Sequence, residues 1–191
     1  MLQQQHFPER RHDLFNYAKL SQAHILELGC VQRGTLAQRL ALISCFHHSA
    51  GTGLLALALS PLVRKYTATD IPALLPLLRK NVLSASVTVT ALDWTLPALR
   101  QVDVAHGPDV PDVLLAVDCI YHPALIRPLL TTLNDLATPQ HTVAVVVAEL
   151  RAEDVLREFL QEWITLGWCV WSVGEDLLGA RWGIWVAWRE T

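Results

Sequence analysis

Three aspartates in this 191-residue chain stand at the ends of successive apolar segments, where a carboxylate can meet a ligand: Asp70, Asp93 and Asp118. A carboxylate at Asp70 can accept both hydrogen bonds of a ribose diol. Asp93, followed by Trp94, offers an acceptor for an adenine amino group with a flat apolar face beside it. Asp118 opens the stretch Asp118-Cys119-Ile120-Tyr121-His122-Pro123, where Asp118 and Tyr121 would border the reactive end of such a ligand. Taken singly, each aspartate is more often a turn or cap residue. The glycine turn after the first apolar segment, with Asp70 after the second and Asp93-Trp94 after the third, points together to a nucleotide cofactor.

A glycine motif supports that reading, although it is split in two. His24-Ile25-Leu26-Glu27-Leu28-Gly29 is a buried strand running into a glycine turn, and Ala50-Gly51-Thr52-Gly53-Leu54-Leu55 is a glycine turn opening a helix. Joined, they read Leu-Glu-Leu-Gly-Ala-Gly-Thr-Gly-Leu. Glycines there let backbone approach a ligand with no Cβ in the way, and the helix that follows offers free N–H groups. Between the halves lie the twenty residues Cys30–Ser49, foreign to both.

These residues need a scaffold, and the hydrophobic pattern supplies seven strand-like segments. They are Ile25–Gly29, Tyr66–Asp70, Ser86–Ala91, Val113–Val117, Thr142–Ala148, Trp168–Val173 and Trp182–Trp188. Helical patterns run from Leu54 to about Arg64, from about Ala73 to Leu83, over Pro123–Leu136 and over Ala152–Leu166, the last stopped by Gly167. Alternation of strand and helix predicts a doubly wound, mostly parallel α/β sheet with helices on both faces. The last two strands are separated by a short loop, which predicts a C-terminal antiparallel hairpin rather than the six-strand dinucleotide fold. Gln101–Pro111 reads as a surface loop. In such a sheet, ligands bind beyond the carboxyl ends of the strands, where the three aspartates fall.

Composition narrows the class. Apolar residues make up 52% and the mean hydropathy is +0.30, yet no apolar run reaches the roughly 18–20 residues that span a bilayer. The N-terminus lacks a signal-peptide layout, so a soluble cytoplasmic protein without a membrane partner is expected. Net charge is −3 and the basic residues fall in scattered pairs, which gives no footprint for nucleic acid. Cys119 and Cys169 read as buried thiols; Cys45 with His47 and His48 lacks a second ligand cluster, so no metal is expected. Of seven tryptophans, Trp163, Trp168, Trp171, Trp182, Trp185 and Trp188 crowd the C-terminal part and read as packing residues rather than a stacking platform.

The set Leu26-Glu27-Leu28-Gly29 with Ala50-Gly51-Thr52-Gly53-Leu54, Thr69-Asp70, Leu92-Asp93-Trp94 and Asp118-x-x-Tyr121 resembles the seven-strand protein-lysine methyltransferases, a class I, Rossmann-like family. Ala148-Glu149-Leu150-Arg151 and Val155-Leu156-Arg157-Glu158-Phe159-Leu160 resemble its fungal ribosomal lysine methyltransferase branch. The resemblance implies S-adenosyl-L-methionine as cofactor, with Glu27, Gly29, Gly51 and Gly53 near its methionine part, Asp70 on the ribose, and Asp93 and Trp94 at the adenine. It implies Asp118 and Tyr121 beside the channel for an incoming lysine. It also implies a protein substrate, ribosomal in that branch; a monomer is expected.

Two departures stand beside the resemblance. Family members carry a Gly and a Trp in a short strand before the first strand of the sheet, whereas Met1–Gln22 contains neither. The methyltransferase domain is accordingly drawn over 23–191, interrupted at 30–49. Cys30–Ser49 reads as a translated intron, since twenty codons keep frame; a genuine surface loop is the competing reading, and sequencing the mature transcript separates them. Two rival functions follow: a non-catalytic protein of methyltransferase fold, and an NAD(P)-dependent oxidoreductase, because Gly51-Thr52-Gly53-Leu54-Leu55-Ala56 also satisfies the dinucleotide fingerprint.

Overall fold

A computed structural model of the protein describes residues 17–29, 52–83, 85–97, 101, 109–173 and 181–191. Gly51, the insert Cys30–Ser49, and Cys45, His47 and His48 lie outside the described residues, as does 1–16 of the N-terminal segment. The described end of that segment forms one helical turn, α1 (Tyr17–Leu20), which hands over to the first strand through Gln22 N–H to Lys19 O and Ala23 N–H to Leu20 O.

The seven expected strands all form: β1 (His24–Leu28), β2 (Lys65–Asp70), β3 (Thr88–Ala91), β4 (Val113–Val117), β5 (Val143–Glu149), β6 (Cys169–Val173) and β7 (Trp182–Trp188). They build one sheet in the order β3-β2-β1-β4-β5-β7-β6. Every pairing is parallel except the two made by β7, which slots between β5 and β6. Burial explains the order. β1 is buried along its whole length and β4 almost so, as parallel strands covered on both faces must be, while β3 and β6 keep exposed positions and take the edges.

Alternate residues of the central strands feed two apolar layers. Leu26, Leu28, Leu114, Ala116, Ala144 and Val146 face one layer; Ile25, Val113 and Leu115 face the other. The first layer is covered by α4 (Ile126–Leu136) and α5 (Glu153–Thr165), the second by the shorter α2 (Leu54–Leu59) and α3 (Leu75–Asn81). Val155, Phe159 and Trp163 recur at helical spacing on the buried stripe of α5, and Glu153 and Asp154 suit its N-terminal turn. Trp163 packs between Phe159 and Trp168, with ring centroids 5.1 and 5.8 Å apart. Trp163, Trp168, Trp185 and Trp188 are buried, in keeping with a packing role; Trp171 is the exposed member.

Two local details differ from the sequence pattern. Leu54 to Arg64 is a six-residue helix ending in a 3-10 turn over Ser60–Leu62, because Pro61 cannot donate to the helical ladder. The segment before α4 begins as a 3-10 turn, Pro123–Leu125, and its cap is His122, whose Nδ1 accepts from Ala124 N–H at 3.2 Å. Asp118 therefore does not cap that helix.

Candidate active site

β1 lies between β2 and β4, so the chain leaves the sheet in opposite directions on its two sides, and a crevice opens at the carboxyl ends of these strands. Glu27, Gly29 and Asp70 meet at that edge. Register places Leu28 opposite Thr69, which brings Gly29 over the end of β2. A Cβ on Gly29 would lie 2.2 Å from the Thr69 carbonyl oxygen and 2.7 Å from Cγ and Oδ2 of Asp70. Only glycine allows so close an approach. Thr69 Oγ1 donates to Glu27 O at 2.8 Å and tightens the same junction.

Glu27 and Asp70 are both buried, at 2% and 0% exposure. Burial, with the Asp70 charge adding to it, pushes the Glu27 carboxyl up to about 7, against an opposing hydrogen bond from Tyr66. Tyr66 Oη donates to Glu27 Oε2 at 2.9 Å, and burial raises the phenol so that it stays a donor. The Asp70 carboxylate turns one oxygen to its own loop, accepting from Ile71 N–H at 2.8 Å. Gly53 sits at φ +70 at the start of α2, and a Cβ there would meet Val82 Cγ1 at 2.6 Å. Asn81 Nδ2 holds the preceding residue by donating to Thr52 O.

Beyond β3, Leu92 N–H donates to Asp70 O, so Asp93 and Trp94 follow directly beside the end of β2. Asp93 Oδ1 accepts from Thr95 N–H and Oγ1 at 2.9 and 2.6 Å, a local turn. Its backbone is clasped by one side chain: Gln101 Oε1 accepts from Asp93 N–H at 2.7 Å, and Gln101 Nε2 donates to Asp93 O at 2.9 Å. Trp94 is 2% exposed, and its indole belongs to the first apolar layer.

Asp118 ends β4 in the left-handed region at φ 52, an uncommon place for a residue with a side chain. Its N–H donates to Val147 O at 2.7 Å; its Oδ1 accepts from Glu149 N–H at 3.4 Å and its Oδ2 from Arg151 Nη2 at 2.6 Å. Cys119 and Ile120 then turn into the core, and Tyr121 remains half-buried against it. Cys119 Sγ lies 3.5 Å from Leu28 O, which joins the end of β4 to the end of β1 and its glycine turn.

Of the residues singled out from sequence, Glu27, Gly29 and Asp70 come into one cluster, with Asp93–Trp94 on one side of it and Asp118–Tyr121 on the other. Tyr66, Gln101, Glu149 and Arg151 join the site's surroundings without being marked as site residues by the sequence pattern. Glu149-Leu150-Arg151 carries a signal in retrospect, since charges directly after a buried apolar strand must lie at its end. Tyr66 and Gln101 carry none, because their partners are brought to them only by the sheet and a loop. At the opposite end of the sheet His24 is a buried structural histidine. Its Nδ1 lies 3.1 Å from Asp109 O and its Nε2 2.9 Å from Thr67 Oγ1, and burial lowers its pKa.

The sheet order and the site at its carboxyl edge define a class I methyltransferase fold, and solved structures agree. A methyltransferase from Pyrococcus furiosus superposes with a TM-score of 0.60 at 17% identity, covering 91% of this chain and 79% of that one. Aeropyrum pernix fibrillarin, solved with S-adenosyl-L-methionine bound, gives 0.58 at 13% identity over 86% of this chain and 66% of that one. At such identities the likeness is one of fold. The chain belongs to the lysine methyltransferase family, whose model matches residues 2–163. It is similar to ribosomal lysine N-methyltransferase 5 of Eremothecium gossypii, 31% identical over 151 residues, covering 59% of this chain and 46% of the relative. The chain spans about half the length of the curated relatives it matches.

Proposed function

We propose that this chain is an S-adenosyl-L-methionine-dependent protein-lysine N-methyltransferase, acting as a monomer on a ribosomal protein in the cytoplasm. The observation that carries the reading is the cradle of Gly29 over Asp70 and beside Glu27, in a member of the lysine methyltransferase family. The cradle suits the cofactor: Gly29 lets the first glycine turn close directly over Thr69 and Asp70, and two buried carboxylates lie beside it. Glu27 and Gly29, with Gly51 and Gly53, would hold the methionine part, Asp70 the ribose, and Asp93 and Trp94 the adenine.

When bound, the cofactor supplies an electrophilic methyl group on a positively charged sulfur. The protein's contribution is position more than acid–base power. A lysine has a reference pKa of ~10.4, so only about one amine in two thousand is neutral at pH 7. Partial dehydration in a channel bordered by Tyr121 favours the neutral form. Asp118 orients the approach to that channel. No helix among the described residues is long and apolar enough to cross a membrane, which fits a substrate presented from solution.

A second reading is favoured by one observation: the twenty residues between the two halves of the glycine motif, which make a non-catalytic member of the fold a real alternative. One experiment separates the two. Methyl transfer from labelled cofactor to a ribosome-containing extract is measured for the intact chain, for a chain lacking Cys30–Ser49, and for Asp118→Ala. Label on one ribosomal protein with the intact chain, lost in Asp118→Ala, supports the enzyme. Binding and transfer only after the deletion support the non-catalytic reading, and binding of NAD in place of S-adenosylhomocysteine would sink both.

A further inference from the structure

Asp118 is held by more contacts than a turn needs, and the three described above come from the end of β5 and the turn that follows it. A side chain at φ 52 is strained and persists only where the surroundings enforce it. Two of the enforcing bonds involve backbone atoms of β5, Val147 O and the Glu149 N–H. The third is the Arg151 guanidinium, the closest at 2.6 Å, and it brings a positive charge to the 5%-exposed carboxylate.

Arg151 does not hang from Asp118 alone. Its Nη1 donates to Glu149 Oε2 at 3.0 Å, and the other oxygen of Glu149 accepts from Arg181 Nη2. Charges alternate from the interior outward: Asp118, Arg151, Glu149, Arg181. The planar fork of arginine holds two carboxylates in fixed directions, whereas a lysine ammonium is a point charge on a flexible stem. β4, β5 and the start of β7 are thereby tied at the edge where Asp118 and Tyr121 stand.

We propose that Arg151 is a positioning residue for methyl transfer: it clamps Asp118 in its left-handed conformation and so aims the Cys119–Tyr121 turn at the reacting centre. The proposal rests on the methyltransferase reading above. Released from Arg151, the buried Asp118 would lose its 2.6 Å charged contact, and its backbone would be freer to relax toward ordinary angles. The three residues after it would be re-aimed. A misplacement of about 1 Å is enough to cost on the order of 10²-fold in rate.

The test is a double-mutant cycle on Arg151→Met and Asp118→Asn, with kcat and the KM of both substrates measured and S-adenosylhomocysteine affinity taken by calorimetry. Asn accepts the Glu149 N–H and tolerates the left-handed region, so the second change removes chiefly the charge. Arg151→Met is expected to lower kcat on the order of 10²-fold with cofactor affinity unchanged, and Arg151→Lys to recover part of it. The double variant is expected to be no slower than the slower single one. Losses that multiply, a wild-type kcat in Arg151→Met, or a loss confined to cofactor affinity would overturn the proposal. If Arg151→Met does not fold, Arg151→Lys decides: reduced kcat with intact affinity supports, wild-type kcat overturns. Amide hydrogen exchange gives a readout independent of turnover. Exchange at Cys119–Tyr121 should quicken in the Arg151 variants and not in Arg157→Ala, whose partner Glu153 is on the surface; unchanged exchange overturns the proposal. A chain that binds no cofactor and transfers no methyl refutes the functional reading instead, and the exchange result still decides whether Arg151 holds the turn.

Discussion

Gly29→Ala is the sharpest probe of the cradle. The added Cβ would sit 2.2 Å from Thr69 O, against the 3.4 Å at which ordinary contact begins. The obstacle is backbone of a neighbouring paired strand, and Leu28 and Thr69 are locked opposite each other by the β1–β2 register. No rotamer change relieves it; either the strand ends part or the Asp70 carboxyl moves. Overpacking of this kind costs about 1–3 kcal/mol, and a rigid partner places Gly29→Ala at the upper end, near 3. With a urea m-value of about 2 kcal/mol/M for a chain of this size, the unfolding midpoint should fall by roughly 1.5 M. S-adenosylhomocysteine affinity should fall with it, measured by calorimetry at a urea-free temperature where the variant stays folded. Gly167→Ala is the matched control, because nothing lies within 4 Å of its Cβ and only its φ of +82 resists the change. It should cost about 1–2 kcal/mol and leave affinity alone. A Gly29→Ala chain with wild-type midpoint and affinity would refute the close approach and the site built on it.

Three further outcomes are expected. Glu27 is held up to about 7 from an ordinary 4.5, so the folded chain keeps a proton that the unfolded chain gives up between those values. Its ionisation therefore costs stability increasingly from pH 4.5 to 7, on the order of 3 kcal/mol in all, and nothing below. Urea midpoints of Glu27→Gln against wild type should diverge across that window and run parallel above it; a constant gap would refute the shift. Gln101→Ala removes both clasps on the Asp93 backbone and should lower stability by about 1–3 kcal/mol, with weaker cofactor affinity and faster amide exchange at Asp93. Phe159→Ala opens a cavity beside Trp163 at a fully buried position and should cost about 3–5 kcal/mol, read as a lower thermal midpoint without change in cofactor affinity per folded molecule.

That Gly29, Asp70, Asp93 and Asp118 fall at strand ends is legible because strand ends are marked in sequence by a glycine or polar residue after an apolar run. The central strands are legible because Val113–Val117 and Val143–Ala148 are apolar at successive positions, as strands covered on both faces are. Gly51 and the insert lie outside the described residues, so their part of the motif stays with the sequence.

What sequence determined by itself is therefore local and periodic: seven strands, the helices between them, a parallel order with an antiparallel finish, and which residues fall at the carboxyl edge. Those follow from spacing along one chain. Tertiary structure alone decided the partners. Tyr66 reaches Glu27 across thirty-nine residues, Gln101 folds back on Asp93, and Arg151 closes on Asp118 across thirty-three. Parallel neighbours are joined by long crossovers, so side chains that touch across such a sheet are distant in sequence and leave no periodic trace. Only the assembled sheet brings them within hydrogen-bonding reach.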